Sequence, residues 1–215
     1  MTISEIYSKY NIPQNLQEHM LRVAAVGSIV VDFLNESVLL DKSVIISALL
    51  LHDMGNILKY DFSDHIAFDA NEILRLKELQ KEFILKYGAS AHVATTKIAR
   101  EIGVSEEIIY ILENSGSSKV ADIVKGENWH RKVCAYADFR VAPYGVVGVN
   151  DRFNDIVKRY KGRNHPLADV VKTEEKRANA LLLEKQIQEK SKKNLSLIDD
   201  VMIKGAFEEL KNYSI

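Results

Sequence analysis

His52 and Asp53 stand side by side near the end of an almost wholly apolar run, LLLHDMGNILKY (49–60). Burying an unpaired carboxylate there costs several kcal/mol, and the run itself offers no partner. His19 sits on a second apolar stripe with Leu16, Val23, Val26 and Val30. Asp138, in RKVCAYADFRVAP, shares a helix face with Cys134 and Val141. Taken singly, each has an ordinary structural reading: a satisfied core histidine, or a carboxylate that pairs with arginine or caps a helix. Taken together, two imidazoles and two carboxylates on inward faces of three helices can cancel one another's burial cost by sharing a divalent cation. Such a donor set suits Mn, Fe, Co, Ni, Zn or Mg, and the absence of thiolates argues against a structural zinc knot. Helix-bundle cores are a known place for such sites.

The elements that must position these residues read as all helical. Apolar residues at three- and four-residue steps predict a first helix over 15–34. Asp41 or Ser43 can cap a second, which Gly55 can end. A third is expected over 69–85, a fourth through YGASAHVATTKIAREIG to Gly103, and a fifth from the capping residue Ser105. A sixth is expected over 129–141, closed by Pro143, and a seventh through NDRFNDIVKRYKG to Gly162. Pro166 is expected to open a long charged helix reaching about Lys192, with a shorter one over 206–213. The stretch EKQIQEKSKKN reads as a solvated face or protruding helix. There is no strand-like alternation, repeat or glycine-rich phosphate loop, which argues against a βαβ nucleotide fold.

The bulk properties bound the function. A chain of 215 residues with 47% hydrophobic and 27% charged residues suits a globule with a real core. A net charge of −1 and a pI near 6.6 give no footprint for duplex nucleic acid or anionic membrane. One cysteine, Cys134, excludes an internal disulfide framework and fits a reducing compartment. No leader-like amino terminus is visible, and no apolar run approaches the roughly 18 residues of a membrane span. The expected location is the cytoplasm.

The order His19, then His52-Asp53, then Asp138 resembles the HD-domain superfamily of metal-dependent phosphohydrolases. HMLRV surrounds the first histidine, ALLLHDMGN the doublet and YADFRVA the last aspartate, and the resemblance covers roughly 15–160. It implies an HD-like helical bundle with a long charged C-terminal helix: an HD-type metal-binding domain over 1–163 and C-terminal helices over 164–215 packed on it or extending it. It also implies that His19, His52, Asp53 and Asp138 bind one divalent metal ion. Two-metal members add two histidines between doublet and final aspartate. His92 resembles the first, while Glu113, Asn114 and Ser115 stand where the second would fall. Many members carry lysine or glutamate three residues after the doublet; here the residue is Asn56, which cannot act as a base.

A single divalent ion can polarise a phosphoryl oxygen and lower the pKa of its bound water. The expected activity is therefore hydrolysis of a phosphate ester of a small metabolite or nucleotide by metal-activated water. Asp53, Arg22 and His92 are the candidate catalytic residues, and Arg22, Lys59, Arg140 and Arg152 the candidate phosphate contacts. Arg22 follows His19 by one turn, Lys59 and Arg140 follow the two ligand segments, and Arg152 begins a helix. His65 and His165 read as loop or helix-start residues, His130 as a structural or site-edge residue, and Cys134 as core. The expected partner is a small phosphorylated substrate, with homo-oligomerisation open. A binding or regulatory HD module without turnover is the first rival, and a helical interaction protein the second.

Overall fold

Asp41, Asp69, Ser90, Ser105, Asn128, Asp169 and Asp199 each place a side-chain oxygen on a free amide in the first turn of a helix. Each such cap contributes about 1 kcal/mol and fixes where a helix begins. In the computed structural model, which describes residues 1–62, 69–162 and 166–215, the result is an all-α bundle. His65 and His165 lie outside the described residues.

The helices are α1 (Ile3–Lys9), α2 (Gln14–Phe33), α3 (Lys42–Leu51), α4 (Ala70–Tyr87), α5 (Ala91–Ile102), α6 (Glu106–Glu113), α7 (Val120–Lys125) and α8 (Trp129–Phe139). A hairpin of β1 (Val141–Ala142) and β2 (Gly145–Val146) follows, then α9 (Val149–Tyr160), α10 (Val170–Glu189) and α11 (Asp200–Leu210). The central helix is α2, packed by α3, α8 and α11, so most of its surface is buried. Gly27 permits the closest of these approaches, because a Cβ there would run into the Leu49 side chain. On the other side of α3 lies α6, with α5 packed against it. The long helix α10 covers α7, α8 and α9.

Several boundaries differ from the sequence expectation for local reasons. The second helix stops at Leu51 rather than near Gly55, and a separate 3-10 turn covers Asn56–Lys59. The sixth stops at Phe139, and Val141 pairs with Val146 in the antiparallel hairpin around Pro143. Strands of two residues are too short to show alternation. Pro166 opens a 3-10 turn, not α10, which Asp169 caps. The last helix is α11, which begins earlier than 206 because Asp199 caps it at Asp200.

The stretch EKQIQEKSKKN does not protrude. Ile187 is fully buried, and the Gln186 amide donates to the Val124 carbonyl while its oxygen accepts from buried Lys132. Polar residues there satisfy a buried lysine and a free carbonyl. Two short helices, α1 and α7, went unpredicted. In α1, Thr2 and Glu5 form a reciprocal cap, and the Tyr7 hydroxyl donates to the Leu50 carbonyl on α3.

Candidate metal centre

Residues next to each other on a helix point about 100° apart, so a continuous helix would splay His52 from Asp53. The helix α3 ends at Leu51, but His52 keeps helical dihedrals (φ −61°, ψ −26°), so the two side chains meet only because other elements wrap around them. His52 caps the helix, and Asp53 falls in a turn closed by Met54 N on Leu51 O (3.2 Å) and Asn56 N on Asp53 O (2.9 Å). From outside, Gly55 N donates to Thr95 Oγ1 on α5 (2.9 Å). Only glycine fits here, since a Cβ at Gly55 would collide with the Ala91 carbonyl and the Thr95 amide.

The His52 ring is oriented by its own helix. Its Nδ1–H donates to the Leu49 carbonyl at 2.6 Å, which leaves Nε2 aimed away from the backbone. That Nε2 is buried and has no hydrogen-bond partner. Around it stand Asp53 Oδ2 at 3.7 Å and Asp138 Oδ1 at 3.8 Å. His19 Nε2 from α2 lies 3.7 Å from the same Asp53 oxygen and 3.3 Å from the same Asp138 oxygen. The two imidazole rings are 5.4 Å apart.

These distances are too long for good hydrogen bonds and suit a shared ion. Donors held at about 2.0–2.2 Å in a tetrahedral arrangement stand about 3.3–3.6 Å from one another. An orphaned buried nitrogen among two carboxylates and a second imidazole is thus a donor set that fits a divalent metal. Asp53 and Asp138 have no lysine or arginine pair among the described residues.

Electrostatics bind the four groups into one unit in the metal-free protein. Burial disfavours a charged His52, but Asp53 and Asp138 outweigh it and push its pKa up to about 9. Burial likewise opposes ionisation of Asp138, yet His19 and His52 hold its carboxyl well below the usual carboxylate range.

The site opens into a cavity of about 430 Å³. Lys59, His92 and Arg152 line it together with His19, His52, Asp53 and Asp138, so the structure brings those sequence candidates to one space, with Asn56 beside them. His92 is exposed, and its Nε2–H donates to the Glu113 carbonyl at 2.9 Å. Glu113 pairs with Arg100, and the Ser115 hydroxyl donates to the Ile111 carbonyl. Arg152 also bonds Asp155 at 3.4 Å.

Two sequence candidates lie elsewhere. Arg140 is buried, and its guanidinium donates to the carbonyls of Val147, Leu195 and Ile198 and to the Tyr136 hydroxyl. It ties the hairpin and the 195–198 turn to α8, with four of its five N–H groups so used, and it does not line the cavity. Arg22 follows His19 by one turn but faces α11, where it pairs with Asp200 (3.3 Å) and stacks near Phe207. Its proximity along the helix did not survive the rotation. His130 is also structural, since its Nε2 accepts from Asp41 N at 3.0 Å. Cys134 borders the cavity but is buried, and burial pushes its thiol pKa up.

Thr95, Gly116, Ser117, Ser118 and Lys176 also line the cavity and were not among the sequence candidates, while Ser115, at the position of the missing histidine, lines it too. Lys176 left a usable signal. It falls within the inward stripe of α10 formed by Thr173, Ala180, Leu183 and Ile187, where an apolar residue is the default.

A family model described as HD domain matches residues 16–128, which is more than half of the chain. The chain belongs to the HD-domain family. His19, His52 and Asp53, which form a candidate metal-binding cluster, fall within the match; it ends before Asp138, which the fold of the residues beyond it brings beside both imidazoles. No curated protein and no solved structure matches the chain significantly.

Proposed function

We propose that this HD domain is a metal-dependent phosphohydrolase acting on a phosphate ester of a small metabolite or nucleotide. The observation that carries the reading is His52 Nε2, buried without a partner and 3.7–3.8 Å from two carboxylate oxygens. His19, His52, Asp53 and Asp138 would hold one divalent ion, whose chemistry is to polarise a phosphoryl oxygen and acidify a bound water. Lys59 and Arg152 provide cationic donors for phosphate oxygens at the cavity wall. Asp53 is the carboxylate at the cavity that could accept a proton, and His92 borders the cavity as a further polar contact. Leu49, Ile111 and Phe139 add apolar surface to the cavity wall.

A second reading is a ligand-binding HD module without turnover. It is favoured by Asn56, which lines the cavity but has no basic or acidic side chain. Metal analysis of the purified protein, with a phosphoester panel assayed on the metal-loaded form, separates the two. Bound metal with turnover supports the hydrolase. Bound metal and phosphate affinity without turnover supports the module, and a metal-free protein with no metal affinity removes both. No helix among the described residues is long and apolar enough to cross a membrane.

A further inference from the structure

Three cations line the cavity: Lys59 beside the metal turn, Arg152 on α9 and Lys176 on α10. They are not equivalent. Arg152 shares its charge with Asp155. Lys59 is exposed, six positions along the chain from Asp53, and can be solvated where it stands. Lys176 is half-buried on the inward stripe of α10, and its wall of the cavity includes Phe153, Ile156 and Leu167.

Its neighbours on the same helix show the ordinary solution for a charge. Lys172 pairs with Asp169 and Arg177 with Glu174, one turn away. Among the described residues Lys176 has neither an ion pair nor a hydrogen bond, and it stands more than an ion-pair distance from Asp53 and Asp138. An ammonium beside apolar walls loses hydration, and a ligand anion restores that loss. The cavity volume of about 430 Å³ falls in the range of whole small-molecule sites rather than of a lone phosphate pocket. A ligand that fills it from the metal turn to α10 would meet Lys176 with a group other than the one held at the metal turn.

We infer that Lys176 is a specificity-determining residue that binds a second anionic group of the substrate, separate from the phosphoryl group presented to the metal centre. This rests on the phosphohydrolase reading for the identity of the first group. The second group is a phosphate or a carboxylate, which share the chemistry that an ammonium recognises. The inference also gives α10, outside the residues matched by the family, a part in substrate choice.

The test uses the metal-loaded full chain and three non-hydrolysable probes, so that it does not depend on turnover. Ethylphosphonate carries one anionic group, 3-phosphonopropionate adds a carboxylate, and propane-1,3-bisphosphonate adds a second phosphonate. In the parent protein at least one two-anion probe should bind about tenfold more tightly than ethylphosphonate, equivalent to about 1.4 kcal/mol. Which of the two is preferred identifies the second group. K176Q should collapse that ratio towards one, and K176R should retain most of it. A parent protein without the preference, or a K176Q ratio equal to the parent's, overturns the inference, as does failure of all three probes to bind. Turnover is read separately on the phosphoester panel. A parent that prefers the two-anion probes but hydrolyses nothing removes the hydrolase reading and leaves the second-anion site standing.

Discussion

His52 Nδ1 lies 2.6 Å from the carbonyl oxygen of Leu49, one turn earlier on the helix that His52 ends. A carbonyl only accepts, so this contact puts the ring proton on Nδ1 and turns Nε2 toward Asp53, Asp138 and His19. The ring orientation and the Nδ1 proton required of a metal ligand are therefore built into α3, and an incoming ion has only the Nε2 proton to displace.

Loss of a donor should be read directly in metal content. Asp138→Ala leaves two imidazoles and one carboxylate, and its cavity cost is small because the removed group is small and polar. We expect metal affinity to fall by more than tenfold and phosphoester turnover to fall with occupancy, partly restored by excess metal. Elemental analysis after dialysis checks this; an Asp138→Ala protein that retains parental metal content would remove Asp138 from the site.

Acid and base should both destabilise the metal-free protein, each through a different group. His52 has its pKa raised from 6.5 to about 9, so its contribution to stability is complete below pH 6.5 and is lost as pH rises through about 9. Asp138 is depressed below 3.8, so its contribution is present above that value and is lost as pH falls through the lower folded one. Thermal denaturation in chelator should show a stability maximum between about pH 4 and 6.5, with a decline towards pH 9. Metal binding at pH 7 should release a proton from His52, seen calorimetrically as a dependence on buffer ionisation heat. A melting temperature that rises from pH 6.5 to 9 in chelator would refute the imidazolium–carboxylate coupling.

Much of this was legible before the fold was known, because burial is written in periodicity. His19, His52 and Asp138 each interrupt an apolar stripe, and the caps Asp41, Asp69, Ser90 and Ser105 mark where helices begin. Arg22 and Arg140 were misplaced for one reason. Each is near a donor in sequence, and sequence proximity does not reveal which neighbour a side chain meets. Arg22 meets Asp200 and Arg140 meets Leu195 and Ile198, partners more than fifty residues away along the chain. Thr95 and Lys176 depend on the same kind of distant contact.

Arg140 should matter for folding and not for phosphate. Arg140→Met leaves the carbonyls of Val147, Leu195 and Ile198 without their shared donor, at about 1–3 kcal/mol for each group that water cannot reach. We expect destabilisation of about 3 kcal/mol or more in urea denaturation, with KM for a phosphoester unchanged per folded molecule. Arg22→Ala should likewise leave KM unchanged, since its partner Asp200 lies on α11 and not on the cavity wall. A large rise in KM for either variant would return that arginine to the substrate.

Thr95 couples a helix outside the ligand set to the metal turn. Its Oγ1 accepts from the Gly55 amide at 2.9 Å, and no other acceptor reaches that buried N–H among the described residues. Thr95→Val keeps the shape of the side chain but leaves the amide unsatisfied, which costs about 1–3 kcal/mol. The strain falls on the turn that carries Asp53, so metal affinity should drop by about tenfold or more, the scale found when an outer hydrogen bond to a metal site is removed. Thr95→Ser, which keeps the hydroxyl and loses a methyl, should hold the metal nearly as well as the parent. Competition with a fluorescent chelator measures both. Equal metal affinity in Thr95→Val and the parent would show that the turn is fixed by Gly55 packing alone.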